Sequence, residues 1–259
     1  MSCPEPEGGL TPEERERYQW QMWTPGFGED GQLKLKHATV LISRCGGIGG
    51  TVALQLAAAG VGHLILAHGG ELRLNDLNRQ LLMTTDHVGK PRIDSAVRRL
   101  YDLNPNVKIT AVDQNISEAN VSDLVGKSDL VVSAAPLFEE RLLMNREAVR
   151  QGKPVIQCAM YDLQATVMTT LPGQTACLAC LTPEPPGWWK REFPVFGAVS
   201  GTAACIAAMG AIKLLTGLGA APSGAICAID FATMHMRSVA TSRNPDCPVC
   251  RNAGVSTGI

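Results

Sequence analysis

The sequence predicts an α/β protein built on a doubly wound, mostly parallel sheet, and three observations support that class. An apolar strand runs through a glycine turn into a helix between Thr39 and Gly60. Strand-length apolar runs then alternate with helical segments as far as Phe231. Two Cys-x-x-Cys pairs mark the C-terminal half. A chain of 259 residues, 45% of them hydrophobic, can bury such a core in a single domain. The expected domain spans 11–251, with flexible ends at 1–10 and 252–259.

Thr11 and Pro12 fit the N-cap and first position of a helix, and the charges from Glu13 to Arg17 fit its solvated face. Trp20, Met22, Trp23 and Phe27 then form an arm expected to pack on the domain or on a second subunit. Val40, Leu41 and Ile42 make a buried strand. In the turn that follows, Gly46, Gly47, Gly49 and Gly50 lack a β-carbon, so a ligand can approach the helix N-terminus closely. That geometry suits a nucleotide phosphate and makes this half Rossmann-like. The GxGxxG pattern is incomplete, because Arg44 stands where its first glycine belongs.

Val61 to Ala67 reads as the second strand and ends in His68, Gly69, Gly70 and Glu71. In doubly wound folds this strand end carries an acid for the ribose hydroxyls, and Glu71 is the nearest one. His68 could donate one hydrogen bond there, or be a structural histidine. The next segment places Asn78, Arg79, Gln80, Lys90 and Arg92 close together, either a polyanion site or ordinary surface charge. A helix over 90–104, strands over 104–112, 129–134 and 153–160, and an added strand near 166–173 follow. Cys158 is expected to be buried. The stretch TPEPPGWWKREFP reads as an irregular crossover loop, the small-residue run from 197 to 215 as a long helix burying Cys205, and Ala225 to Phe231 as a late strand.

The formal charge of −1, with no run of Lys and Arg, argues against a nucleic-acid or membrane surface. The beginning MSCPEPEGGL is acidic and Pro/Gly-rich, unlike a signal peptide, so a cytoplasmic location is expected. Nine cysteines then point to metal or thiol chemistry before disulfides. Cys177 and Cys180 in CLAC, with Cys247 and Cys250 in CPVC, can supply a tetrahedral thiolate site for structural zinc that ties the C-terminal half to the body. The alternatives are two unrelated thiol pairs or a redox-active CxxC.

PGFG, GGIGG, AAAGVG, DLNRQLL and GKPR, followed by the two CxxC pairs, resemble the ThiF/MoeB/HesA family of the ubiquitin-activating superfamily from Tyr18 to Cys250. The resemblance implies a homodimer that binds ATP with magnesium and adenylates a carboxylate. That carboxylate is the C-terminus of a ubiquitin-like sulfur carrier, a peptide or a small acid. It implies that Arg79 and Lys90 are the phosphate-contacting catalytic cations. Asn78 and Gln80 would line the nucleotide site, and the amides of Gly46 to Gly49 would cradle phosphate.

Five positions depart from the family pattern. Arg44 replaces a glycine, His68 and Gly70 replace acids, Pro136 replaces a metal-linked aspartate, and Trp20 replaces an arginine of the arm. Either the ATP site is rearranged, with Arg44 on phosphate and Glu139 or Glu140 on the metal, or the domain is a catalytically impaired scaffold or partner subunit. No cysteine lies between Leu181 and Val199, so adenylation without a crossover-loop thioester is expected. A nicotinamide-dependent oxidoreductase would share only the glycine turn.

Overall fold

A computed structural model describes residues 8–220 and 223–254. The expected flexible ends therefore lie mostly outside the described residues, although Leu10 is fully buried. Helix α1 (Pro12–Met22) opens with a capping box in which the Thr11 amide donates to Glu14 Oε2 at 2.7 Å and the Glu14 amide to Thr11 Oγ1 at 3.1 Å. Helix α2 (Gly28–His37), which sequence periodicity did not mark, runs into β1 (Thr39–Ser43). The glycine turn leads to α3 (Gly47–Ala59), which stops at Gly60 in the left-handed region at φ 87°.

Strand β2 (His63–Ala67), helix α4 (Arg92–Leu103), strand β3 (Lys108–Val112), helix α5 (Val121–Gly126) and strand β4 (Leu130–Ser133) complete the first half. Helix α6 (Phe138–Arg150), strands β5 (Val155–Tyr161) and β6 (Gln164–Thr170), and the short α7 (Leu178–Leu181) follow. Helix α8 (Gly197–Thr216) and the hairpin of β7 (Ala225–Asp230) with β8 (His235–Ala240) end the regular structure.

All eight strands form one sheet in the order β3-β2-β1-β4-β5-β6-β7-β8. Pairing is parallel from β3 to β5 and antiparallel from β5 to β8. Alternate strand residues feed two cores. Val40, Ile42, Leu64, Leu66 and Val132 face α3, α4 and α8, whereas Leu41, Ile65 and Val131 face α5 and α6. Helix α8 is long and apolar enough to cross a membrane by length and composition, yet its alanines Ala203, Ala204, Ala207, Ala208 and Ala211 are buried against α3 and the sheet.

One expectation needs correction and two others are refined. Cys205 is exposed, because it lies on the face of α8 turned from that alanine stripe. Trp20 and Trp23 stack on each other at 6.4 Å but stay 81% and 67% exposed, and only Phe27 of the arm's aromatics enters the core. Helix α4 begins at Arg92 because Pro91 takes the cap position. Strand β8 escapes sequence reading because all six of its residues are exposed and no apolar alternation marks it.

Candidate nucleotide cavity and cysteine cluster

The strand order reverses between β1 and β4, and the crevice beyond their carboxyl ends is where doubly wound sheets hold ligands. A cavity of about 870 Å³ opens there, lined by residues following β1, β2 and β4, by the segment from Glu71 to Gln80, and by the crossover loop. Arg44, Gly46, Gly47, His68, Arg79 and Gln80 are brought together on its wall. Gly49, Asn78 and Lys90 are not among the lining residues. A β-carbon on Gly49 would sit 2.2 Å from the Arg44 carbonyl oxygen, so this glycine allows the helix to close on the turn. Lys90 is exposed. Asn78 donates from Nδ2 to the Val195 carbonyl at 3.4 Å, fastening the crossover loop.

Arg44 adopts φ 61°, a left-handed conformation that costs a non-glycine residue roughly 1 kcal/mol. Its buried guanidinium is committed to Glu140 on α6, with Nε 2.8 Å and Nη2 2.7 Å from Oε2. This pairing overturns the expectation that Glu140 serves a metal. Glu139 is exposed and does not line the cavity. Pro136, beyond β4, offers only its carbonyl, which accepts from Trp189 Nε1 at 2.7 Å.

Asp76, which sequence reading did not single out, is the hub that holds Arg79 and Gln80 beside the glycine turn. Its carboxylate accepts from Arg79 Nη2 at 3.2 Å, Gln80 Nε2 at 2.8 Å, Arg92 Nη2 at 2.8 Å and the Arg73 amide at 3.0 Å. One carboxylate facing two guanidiniums leaves positive charge over. Gln80 Oε1 and Arg92 Nε are buried without a hydrogen-bond partner. The only sequence signal for this hub was its place immediately before LNRQ.

His68 is buried, its Nδ1 3.5 Å from Cys45 Sγ. Burial, followed by the nearby Arg92 and Arg44 cations, lowers its pKa to about 3, so the imidazole is neutral and brings no charge to the wall. Glu71 lines the cavity and is exposed. Arg141, also missed from sequence, donates from Nε to the Ala135 carbonyl at 2.5 Å and from Nη2 to the Cys158 carbonyl at 2.9 Å. Desolvation lowers its pKa to about 10, which still leaves a cation at neutral pH.

The crossover loop straps the cavity. The Asp162 amide donates to the Pro194 carbonyl at 3.0 Å, and the Trp189 ring lies 5.2 Å from Phe138, 5.5 Å from Phe193 and 5.9 Å from Tyr161. Arg191 of the same loop joins the lining.

At the far end of α6 the four knuckle cysteines converge, their Sγ atoms all within 4.8 Å of one another. Separations of 3.7 Å for Cys177 to Cys247, 3.9 Å for Cys177 to Cys180 and 3.3 Å for Cys180 to Cys250 bracket the roughly 3.8 Å edge of a tetrahedral zinc–thiolate site. The donor set therefore fits zinc. Around it the Asn244 amide points at Cys180 Sγ at 3.4 Å, and the Leu178 amide donates to Asn145 Oδ1 on α6 at 2.9 Å.

A doubly wound sheet with an arginine-rich cavity at its switch point and a four-cysteine cluster places the protein among Rossmann-like α/β domains. The chain belongs to the ThiF family, whose model matches residues 18–249. It is 49% identical over 243 residues to Protein HesA of Leptolyngbya boryana, covering 94% of this chain and 88% of that one. It is 36% identical to a sulfur carrier protein adenylyltransferase of Thermus thermophilus, covering 93% and 92%. Among solved structures, E. coli MccB with ATP superposes with a TM-score of 0.76 at 27% identity, over 86% of this chain and 70% of that one.

Proposed function

We propose that the protein uses ATP to adenylate a carboxylate. The observation that carries this reading is the arginine-lined cavity beside the glycine turn at the N-terminus of α3, where six arginines meet three carboxylates. The carboxylate oxygen attacks the α-phosphorus, the bond to the bridging oxygen of pyrophosphate breaks, and an acyl adenylate forms. Arg79 and Arg92, held by Asp76, orient the phosphates and offset the charge that builds on the departing pyrophosphate. The strap made by Trp189 and Phe193 shields the acyl phosphate from water. With no cysteine in that loop, the product passes to an amine or a separate sulfur donor.

The relatives named as sulfur carrier adenylyltransferases support the C-terminus of a small ubiquitin-like carrier as the substrate, with a peptide next. On this reading the protein works as a cytoplasmic homodimer, ATP arrives with magnesium, and Cys177, Cys180, Cys247 and Cys250 hold a structural zinc. Lys90 and Asn78 act from outside the cavity wall, Lys90 by reaching the nucleotide from the exposed edge. Pyrophosphate exchange with ATP, magnesium and candidate carriers tests the proposal. Exchange that Arg79→Met reduces about tenfold or more is expected; no exchange and no ATP binding would sink it. That failure would favour the scaffold reading, which draws its support from the Arg44–Glu140 pair and from Pro136.

A further inference from the structure

We propose that this cavity holds nucleotide phosphates by guanidinium groups alone, without a divalent cation held by the protein, and that Arg141 supplies the buried part of that charge. The inference rests on the reading of the cavity as a nucleotide site. Magnesium seeks near-octahedral oxygen coordination and is commonly tied to its protein by one or two carboxylates in addition to substrate phosphates. Among the described residues the cavity offers three carboxylates. Asp76 spends both oxygens on Arg79, Arg92, Gln80 and the Arg73 amide. Glu71 and Glu192 are exposed. The nearest acid behind the lining, Glu140, is closed off by Arg44 at 2.7 Å. Beyond β4 the wall is formed by Ala134, Ala135, Pro136 and Leu137, with no ionisable side chain. The strand end at the switch point thus gives magnesium no carboxylate, and the remaining cavity acids, Glu71 and Glu192, are exposed loop residues.

Arg141, on α6 just past that stretch, also lines the cavity. It is buried, it donates to two carbonyls, and among the described residues no salt bridge pairs it. A desolvated cation without a carboxylate is costly in the empty protein, and an incoming phosphate would relieve the cost. Its lowered pKa agrees with such an environment. Arg191, from the exposed strap, supplies a further cation to the lining. The charge a divalent ion would provide is thus present as fixed side chains.

The test is calorimetric titration of ATP into zinc-replete, full-length protein, in magnesium-free buffer prepared over chelating resin and again with millimolar magnesium. A chelator in solution is avoided because it would strip the thiolate site. The expected affinities agree within about threefold. Arg141→Met should weaken ATP binding about tenfold or more, with Arg141→Lys recovering part of the loss. If Arg141→Met does not fold, Arg191→Met on the exposed loop decides, with a severalfold loss expected. Wild-type binding that drops more than about tenfold without magnesium overturns this inference and leaves the adenylation reading standing. So does unchanged affinity in a folded Arg141→Met, or in Arg191→Met where that variant decides. A wild-type protein that binds no ATP in either buffer overturns both.

Discussion

The cysteine cluster and the arginine cavity occupy the two ends of one helix, α6, and differ in how their chemistry is encoded. Val149 and Asn145 of that helix pack on the knuckles, whereas Glu140 and Arg141 serve the cavity end. At the cluster four identical side chains need one geometry, and a short spacing repeated twice supplies it. At the cavity the function of each side chain depends on its partner: Arg44 is cancelled by Glu140, while Arg79 and Arg92 divide one aspartate. Ligand identity suffices to define the first region. Pairing defines the second.

Breaking the cluster should have the largest effect. Cys247→Ser removes a fully buried thiol from a cluster that could hold zinc and that joins the final loop to α6 and α7, and loss of a structural metal belongs to the most destabilising changes. A loss of more than about 4 kcal/mol in urea denaturation is expected, with zinc content falling in step. Because α6 reaches both regions, ATP binding should fall as well. A variant that keeps the wild-type midpoint while losing zinc would show that the cluster contributes nothing to the fold.

The Arg44–Glu140 pair comes next. Glu140→Gln leaves a buried guanidinium without a carboxylate and should cost about 3 kcal/mol. Arg44→Gly leaves the carboxylate bare but relieves the strained φ of 61°. The double variant Arg44→Gly/Glu140→Gln should be less destabilised than the sum of the single changes, by a coupling of about 2 kcal/mol. Strict additivity in the same denaturation series would mean that the two charges do not depend on each other. If the double variant also binds ATP more tightly than wild type, the pair obstructs the phosphate turn.

How much could be read from sequence follows the same division. The strand–turn–helix around Gly46, the alternation through β5 and the pairing of the four clustered cysteines were all legible, because periodicity and spacing are local properties. Asp76, Arg141 and Trp189 were not, because their roles arise when segments distant in sequence meet. Arg141 is defined by carbonyls at Ala135 and Cys158, and Trp189 by the carbonyl at Pro136. Glu140 was considered for a metal because its type fitted, and only the fold shows its oxygens facing Arg44. Strand β8 was invisible for another reason: an exposed edge strand carries no apolar period.

His68 gives the smallest effect at neutral pH and separates charge from packing at the cavity wall. Its folded-state pKa, about 3, lies below the 6.5 of an ordinary histidine, so below pH 6.5 the unfolded chain binds a proton that the folded protein refuses. The stability this shift contributes is whole above about pH 6.5 and is lost as the pH falls from there toward 3. At most one proton is involved, a slope of about 1.4 kcal/mol per pH unit. Between pH 7 and pH 5.5 wild type should therefore lose about 1 kcal/mol more than His68→Gln, which has no proton to take up. At pH 7 the two should differ only through packing against Cys45. Parallel urea titrations at the two pH values measure this directly. Equal losses would mean that the imidazole is reached by water and protonates freely, in which case the Arg92 and Arg44 charges do not extend to His68.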